Sequence, residues 1–149
     1  MPTPKIVRAD LSHVTLLAPL FDAYRVFNEQ PSDIEAAREF LKARLSAGES
    51  VVFLAFLEGE PAGFTQLYGS FSLVSLKQLW ILNNLFVAPA ARRKNVASAL
   101  LGRAHAHARE TGAQGLTLQT ATDNHSAQAL YEAHGWEQDT GFLTYTRRV

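Results

Sequence analysis

Leu85-Phe86-Val87-Ala88-Pro89-Ala90-Ala91-Arg92-Arg93-Lys94-Asn95-Val96-Ala97 sets the end of a long apolar run, a short loop with three consecutive cations and the start of a helix directly against one another. The apolar run reads as a buried strand, Ala88-Pro89 ends it, and a helix begins near Asn95. Backbone N–H groups at a helix start have no acceptor inside the helix, and together with the helix dipole they favour a phosphate. Arg92, Arg93 and Lys94 add charge at that point, so the stretch predicts a local site for a multiply charged anion such as a diphosphate. Taken alone, the basic triplet would read as a solvated loop before a surface helix. No Gly-Lys-Ser/Thr follows, so this is no nucleotide P-loop, and the dinucleotide fingerprint Gly-x-Gly-x-x-Gly is absent as well.

Working outward, the strand of this stretch spans Lys77–Val87, and two β-rich runs precede it, Val51–Leu57 and Ala62–Tyr68. Glu58-Gly59-Glu60-Pro61 between those runs is turn chemistry, which predicts an antiparallel hairpin. Further upstream, Lys5–Arg8 reads as a short strand. A helix follows from an N-cap at Ser12 to about Asn28, with a kink or a break expected at Pro19. Ser32-Asp33-Ile34-Glu35 has the form of a capping box, and Ile34, Ala37, Leu41 and Leu45 share a helix face until Gly48. Downstream, Asn95–Thr111 carries Val96, Leu100 and Ala104 on one stripe and stops at Gly112. Gly115–Thr120 reads as a strand, His125–His134 as a helix with Ala127, Leu130 and Tyr131, and Phe142–Arg148 as a last alternating strand. The order is β-α-α-β-β-β-α-β-α-β, and its strand–helix–strand crossover requires local parallel pairing. The chain is therefore expected to form a mixed-sheet α/β fold.

At 149 residues the chain is expected to be one domain over 1–149. Fourteen Lys and Arg balance fourteen Asp and Glu, so no global field draws it to nucleic acid or anionic lipid. Zero cysteines exclude a disulfide framework, a thiolate nucleophile and a cysteine-ligated zinc site, and suit a reducing compartment. No apolar run approaches a membrane span, and Met1-Pro2-Thr3-Pro4 does not open a signal peptide, so a cytoplasmic location is expected.

Two segments carry a family pattern. Arg92-Arg93-Lys94-Asn95-Val96-Ala97 matches a phosphate-loop motif that runs Arg/Gln, two residues, Gly, one residue, Gly/Ala, with Asn95 standing where the first glycine belongs. Asn is the residue after glycine that best tolerates positive φ. Asn124-His125-Ser126-Ala127-Gln128-Ala129-Leu130-Tyr131-Glu132-Ala133-His134-Gly135-Trp136 matches Asn-x-x-Ala-x-x-Leu-Tyr-x-x-x-Gly-Phe/Trp at every marked position. With both motifs in this order the sequence resembles the GNAT N-acetyltransferase family, and within it the small histone and polyamine acetyltransferase branch. The resemblance implies a mixed, mostly antiparallel sheet with helices on both faces and local parallel pairing around an acetyl-CoA cleft. It implies acetyl-CoA as cosubstrate, no metal, and direct attack of a primary amine on the thioester. Leu85, Phe86, Val87, Arg92, Arg93, Lys94, Asn95, Val96, Ala97, Asn124 and Tyr131 are then expected to contact the coenzyme.

Such a transfer needs a neutral amine, donors for a developing oxyanion and a proton for the leaving thiolate. A Lys-like amine is roughly one part in a thousand neutral at pH 7, so a base or a desolvating pocket must help. The resemblance gives the donors to backbone N–H groups near Leu85, Phe86 and Val87, and the acid to Tyr131. Read alone, Tyr131 would be a core aromatic and Asn124 a helix N-cap, the latter compatible with binding. No carboxylate occurs in Trp80-Ile81-Leu82-Asn83-Asn84-Leu85, which leaves a water relay or a remote group such as Glu132, His134 or Glu29 as base. Asn83 and Asn84 are expected to bind substrate or orient that water, or else to be polar residues at a strand bulge. Tyr24, Asn28, Tyr68 and Gln66 are expected to line the amine pocket, and Phe27 to pack in the core. His105 and His107 diverge by about 200° on a helix, cannot share a metal and are expected in solvent. Asp123, Asn124 and His125 read as helix caps before they read as a metal cluster. The expected partner is a small-molecule amine or a peptide or protein lysine, with no nucleic acid and no membrane, and a homodimer through the edge of Phe142–Arg148 is a further expectation. The competing reading is a catalytically silent acyl-CoA-binding module of the same fold.

Overall fold

The computed structural model describes residues 2–149, which divide into two compact units, one ending at Gln119 and one spanning Thr120–Val149. In the first, five strands form one sheet in the order β1-β2-β3-β4-β5: β1 Lys5–Arg8, β2 Ser50–Leu57, β3 Glu60–Ser72, β4 Lys77–Val87 and β5 Gly115–Thr117. The first four pair antiparallel and β5 pairs parallel to β4, as the crossover through a helix demands. Helices α1 (Val14–Phe27), α2 (Ile34–Ser46) and α3 (Val96–Glu110) complete this unit. The mixed α/β class expected from the element order is the one observed.

The sheet is covered on both faces, which explains the nearly unbroken burial of β2 and of residues 62–67 in β3. On one face Leu17, Ala18 and Leu20 of α1 and Leu41 of α2 pack with Val52, Leu54, Phe64 and Phe86. On the other, α3 lies across β2, β3 and β4 with Leu100, Leu101, Ala104, His107 and Ala108 buried. His107 belongs to that stripe, three residues after Ala104, and is 4% exposed, which corrects the expectation that both histidines meet solvent. Its ring lies 5.6 Å from Phe53 and 4.8 Å from Trp80, and burial pushes its pKa down. Of this pair, His105 is the exposed one.

Several local readings change. Asp10, not Ser12, caps the amino-terminal turn, a 3-10 turn at Leu11–His13 in which His13 closes a capping box. α1 then runs unbroken through Pro19. Pro19 and Thr15 both lie on the exposed side, where water can take the Thr15 carbonyl that lacks its N–H partner. Asp33 rather than Ser32 caps α2, accepting from Ala36 N–H at 3.0 Å, because the Ser32 hydroxyl is committed to Asp22 at 2.7 Å. Phe27 is 65% exposed rather than core. The strand after α3 is three residues long, ending at Thr117 rather than Thr120.

The second unit holds α4 (His125–Ala133) and chain without regular secondary structure on either side of it. No strand forms over Phe142–Arg148, although Leu143 and Tyr145 alternate with polar residues there; Phe142, Leu143 and Tyr145 are all exposed. Alternation selects faces of a strand, but a strand exists only where a neighbouring backbone takes its hydrogen bonds. The edge through which a homodimer was expected is therefore not formed.

Candidate active site

β4 runs directly into the cationic loop, and its two edges are used differently. The Ala88 N–H donates to Ala62 O at 2.8 Å, and the Thr65 hydroxyl donates to Asn84 O at 2.7 Å, so both residues face β3. By the alternation of an antiparallel ladder the Phe86 N–H does so too, while Leu85 and Val87 direct their N–H groups to the opposite edge. β5 covers that edge only from Leu79 to Ile81. Among the described residues no strand covers it from Leu82 to Val87. Two backbone donors thus face an open edge just before the loop.

The loop is wound tightly. Pro89–Ala91 forms a 3-10 turn, and Arg93 and Asn95 both take left-handed backbone geometry, with φ of 63° and 64°. Left-handed residues in a turn are an ingredient of the concave backbone nests that bind anions. Asn95 is the N-cap of α3 and makes no capping bond with its side chain, so its part is conformational, as expected for a residue standing in for glycine. Val96 beside it is 1% exposed. Arg92 turns back, donating from Nε to Val87 O at 3.2 Å with its guanidinium 5.9 Å from the Phe27 ring. Arg93 and Lys94 are exposed, and Ala97 is partly buried in the first turn of α3. These observations fit a diphosphate-bearing coenzyme: nest, helix start and cations converge at one place in the chain. Replacing Asn95 by Ala is expected to cost about 1 kcal/mol through the left-handed φ. Asn95→Gly is expected to hold both stability and coenzyme affinity, as thermal melts and titration calorimetry would record.

Gly63 was not singled out by the sequence. A Cβ there would sit 2.6 Å from Phe86 O, 3.2 Å from Val96 Cγ1 and 3.3 Å from Val87 Cα. The available signal was a glycine inside a strand, which often marks close approach of another backbone.

On the α1 side of the sheet, Phe64, Gln66 and Tyr68 of β3 sit opposite Phe86, Asn84 and Ile81 of β4. Tyr24 packs its ring 6.3 Å from Phe64 and 6.1 Å from Phe86. Gln66 and Asn84 are buried, and Gln66 Nε2 donates to the Tyr68 hydroxyl at 2.9 Å. Burial pushes the phenols of Tyr24 and Tyr68 up. Asn83 is the exposed extra residue of a β-bulge. The Asn28 side chain closes α1 instead, donating to Tyr24 O at 2.9 Å, and Glu29 is exposed beyond it. The register thus groups Tyr68, Asn84 and Gln66, with Tyr24 on the neighbouring aromatic pair, and leaves Asn28 and Glu29 at the helix end.

In the second unit, Asn124 Oδ1 caps α4 by accepting from Ala127 N–H at 3.2 Å. Gln128 Nε2 ties the preceding loop to the helix by donating to Ala121 O and Thr122 O. Tyr131 is partly buried with its ring 6.1 Å from Trp136, whose N–H returns to Tyr131 O at 3.1 Å. Glu132 and His134 are exposed. Among the described residues no cluster of three His, Asp or Glu side chains could hold a metal ion.

Residues 17–136 match the Acetyltransferase (GNAT) family. The chain is 49% identical to an uncharacterized N-acetyltransferase, YhfO, of Bacillus subtilis over 97% of each chain. It is 30% identical to a probable acetyltransferase of Haemophilus influenzae, covering 89% of this chain and 90% of that one. A crystal structure of a probable acetyltransferase superposes with a TM-score of 0.93 at 47% identity over 97% of both chains. The aminoglycoside N-acetyltransferase AAC(6')-Iy in complex with CoA shares the fold, with a TM-score of 0.81 at 20% identity over 100% of this chain and 97% of that one. The strand, cationic loop and helix that opened the sequence lie within the matched residues, and the chain belongs to the acetyltransferase (GNAT) family.

Proposed function

We propose that the chain, acting as a single N-acetyltransferase domain over 1–149, transfers the acetyl group of acetyl-CoA to a primary amine. The observation that carries this reading is the open edge of β4 running into the left-handed loop at the start of α3. Acetyl-CoA when bound supplies the activated acyl group. Arg92, Arg93 and Lys94, with the N–H groups around Asn95, Val96 and Ala97, would hold its phosphates. The N–H groups of Leu85 and Val87 would meet the carbonyl oxygen as charge develops on it, a task preorganised backbone donors perform without reorganising. Phe86 would contribute through its side chain, between Tyr24 and Phe64, since its N–H is directed to β3. Asn124 would contact the pantetheine arm, and Tyr131 would hold at its hydroxyl the proton that the leaving thiolate takes. The new bond is amine nitrogen to acyl carbon, the bond broken is carbon to sulfur, and the proton the amine gives up passes through water to restore the Tyr131 phenol, leaving amide and free thiol.

The acceptor is read as a small-molecule amine, since neutral overall charge gives no long-range capture of polycations such as histone tails. Zero cysteines support the cytoplasm as the compartment, and no described helix is long and apolar enough to cross a membrane. The test is release of coenzyme thiol from acetyl-CoA across a panel of primary amines. Turnover on at least one, with acetylated amine identified by mass, is the expected result. Tight coenzyme binding with no turnover on any amine would instead favour the silent binding module.

A further inference from the structure

Asn84 and Gln66 are directly opposed across β3 and β4, 5% and 0% exposed, and three of their polar atoms lack a protein partner: Gln66 Oε1, Asn84 Oδ1 and Asn84 Nδ2. Buried polar atoms are rarely left so, and three together on one patch call for a ligand or ordered solvent. The β-bulge creates the patch. Trp80, four residues before Asn84, faces α3 and lies against His107. Strict alternation would turn Asn84 the same way, whereas the extra residue Asn83 turns it to the α1 face beside Gln66. Asn84 is one residue before Leu85 and three before Val87, about 3 and 10 Å along the strand from the two open-edge donors.

The patch is neutral. On this face β3 and β4 contribute Phe64, Gln66, Tyr68, Ile81, Asn84 and Phe86, none of them ionised near pH 7. Of the charged groups on the elements packed over it, the Asp22 carboxylate is committed to Ser32 Oγ and Asp33 N–H, and Arg44 is ion-paired with Glu49 at 3.2 Å. Two amide oxygens can accept from an amine's N–H groups and leave its lone pair free to attack. An ammonium ion would lose its hydration here and gain no countercharge, so the buried site binds the neutral amine.

We propose that Gln66 and Asn84 form the acceptor subsite and select weakly basic primary amines, desolvation taking the part that a carboxylate base would otherwise play. This inference rests on the acetyltransfer reading above. The class includes amines whose basicity is lowered by a neighbouring electron-withdrawing group, as in α-amines, and disfavours Lys-type amines. An α-amine near pKa 8 is neutral at pH 7 about a hundredfold or more often than a lysine amine near 10.4.

Ethylamine and 2-fluoroethylamine, similar in size and different in basicity, test this at pH 7. The wild-type KM for total amine should be at least about tenfold lower for 2-fluoroethylamine, in line with its larger neutral fraction. Asn84→Asp, which adds a carboxylate able to hold the ammonium form, should bring the two KM values to within about twofold. Equal or lower KM for ethylamine in the wild type, or a ratio that Asn84→Asp leaves unchanged, would overturn the proposal. Absence of turnover with any amine would sink the acetyltransfer reading, and the subsite is then judged by NMR on the CoA-saturated protein. The side-chain NH2 resonances of Asn84 and Gln66 should shift on addition of 2-fluoroethylamine and less with ethylamine at equal total concentration. No shift with either amine overturns the subsite.

Discussion

Replacing Tyr131 by Phe is expected to lower kcat by about 10²–10⁴-fold, the range a positioned proton donor contributes. The substitution removes one oxygen. The ring that lies 6.1 Å from Trp136, and the turn in which the Trp136 N–H returns to Tyr131 O, keep their apolar and backbone contacts. Stability should therefore change by no more than about 1 kcal/mol, the net worth of one hydrogen bond. Coenzyme affinity measured by calorimetry should also hold, because the phosphate contacts proposed for Arg92–Ala97 are untouched. The assay is coenzyme-thiol release over a pH series, with a thermal melt as control. Wild-type turnover at every pH would remove Tyr131 from the acid role and leave the thiolate to be protonated by solvent.

Gly63→Val should destabilise the protein by about 3 kcal/mol, the upper part of the range for overpacking a well-filled core. For a chain of this size that corresponds to a fall in Tm of roughly 10 °C. The cause is local: a Cβ at this position would lie 2.6 Å from a backbone carbonyl, Phe86 O, and 3.2 Å from Val96 Cγ1. Neither is the far end of a flexible side chain. Relief requires β4 to move from β3 or the start of α3 to lift, and both displace the open-edge donors from the cationic loop. The folded fraction should therefore bind coenzyme more weakly as well. Gly102, exposed on α3 with nothing within 4 Å of an added Cβ, is the control. Gly102→Ala should raise stability by about 0.5–1 kcal/mol by reducing backbone freedom in a helix. A Gly63→Val protein as stable as the wild type would mean that the close approach of β3, β4 and α3 is not needed.

The deciding stretch was legible because its signals are local. A strand that ends at Pro89, three cations and a helix start lie within thirteen residues, and the left-handed φ at Asn95 is a property that Asn and Gly carry with them. Helix α4 was legible for the same reason, since Asn124 and Ala127 are three apart and the cap needs no distant partner. Where a competing local bond existed, the reading slipped: Ser32 looked like a cap until its hydroxyl met Asp22, ten residues away.

Other features depend on partners that sequence distance hides. Phe142–Arg148 has the alternation of a strand and forms none, because pairing is supplied by a neighbour and not by the segment itself. His107 reads as a polar residue on a helix, and only the approach of Phe53 and Trp80 from two strands buries it. Composition, motif order and helix-start chemistry in the sequence alone determined the α/β class and the place of the cationic loop, since each depends on residues within one turn or one strand of each other. The open edge of β4, the close approach at Gly63 and the burial of the neutral Gln66–Asn84 pair were decided only by tertiary structure. Each of these depends on the register between strands and on which face the bulge at Asn83 turns, and a one-residue change there moves every following side chain to the other side of the sheet.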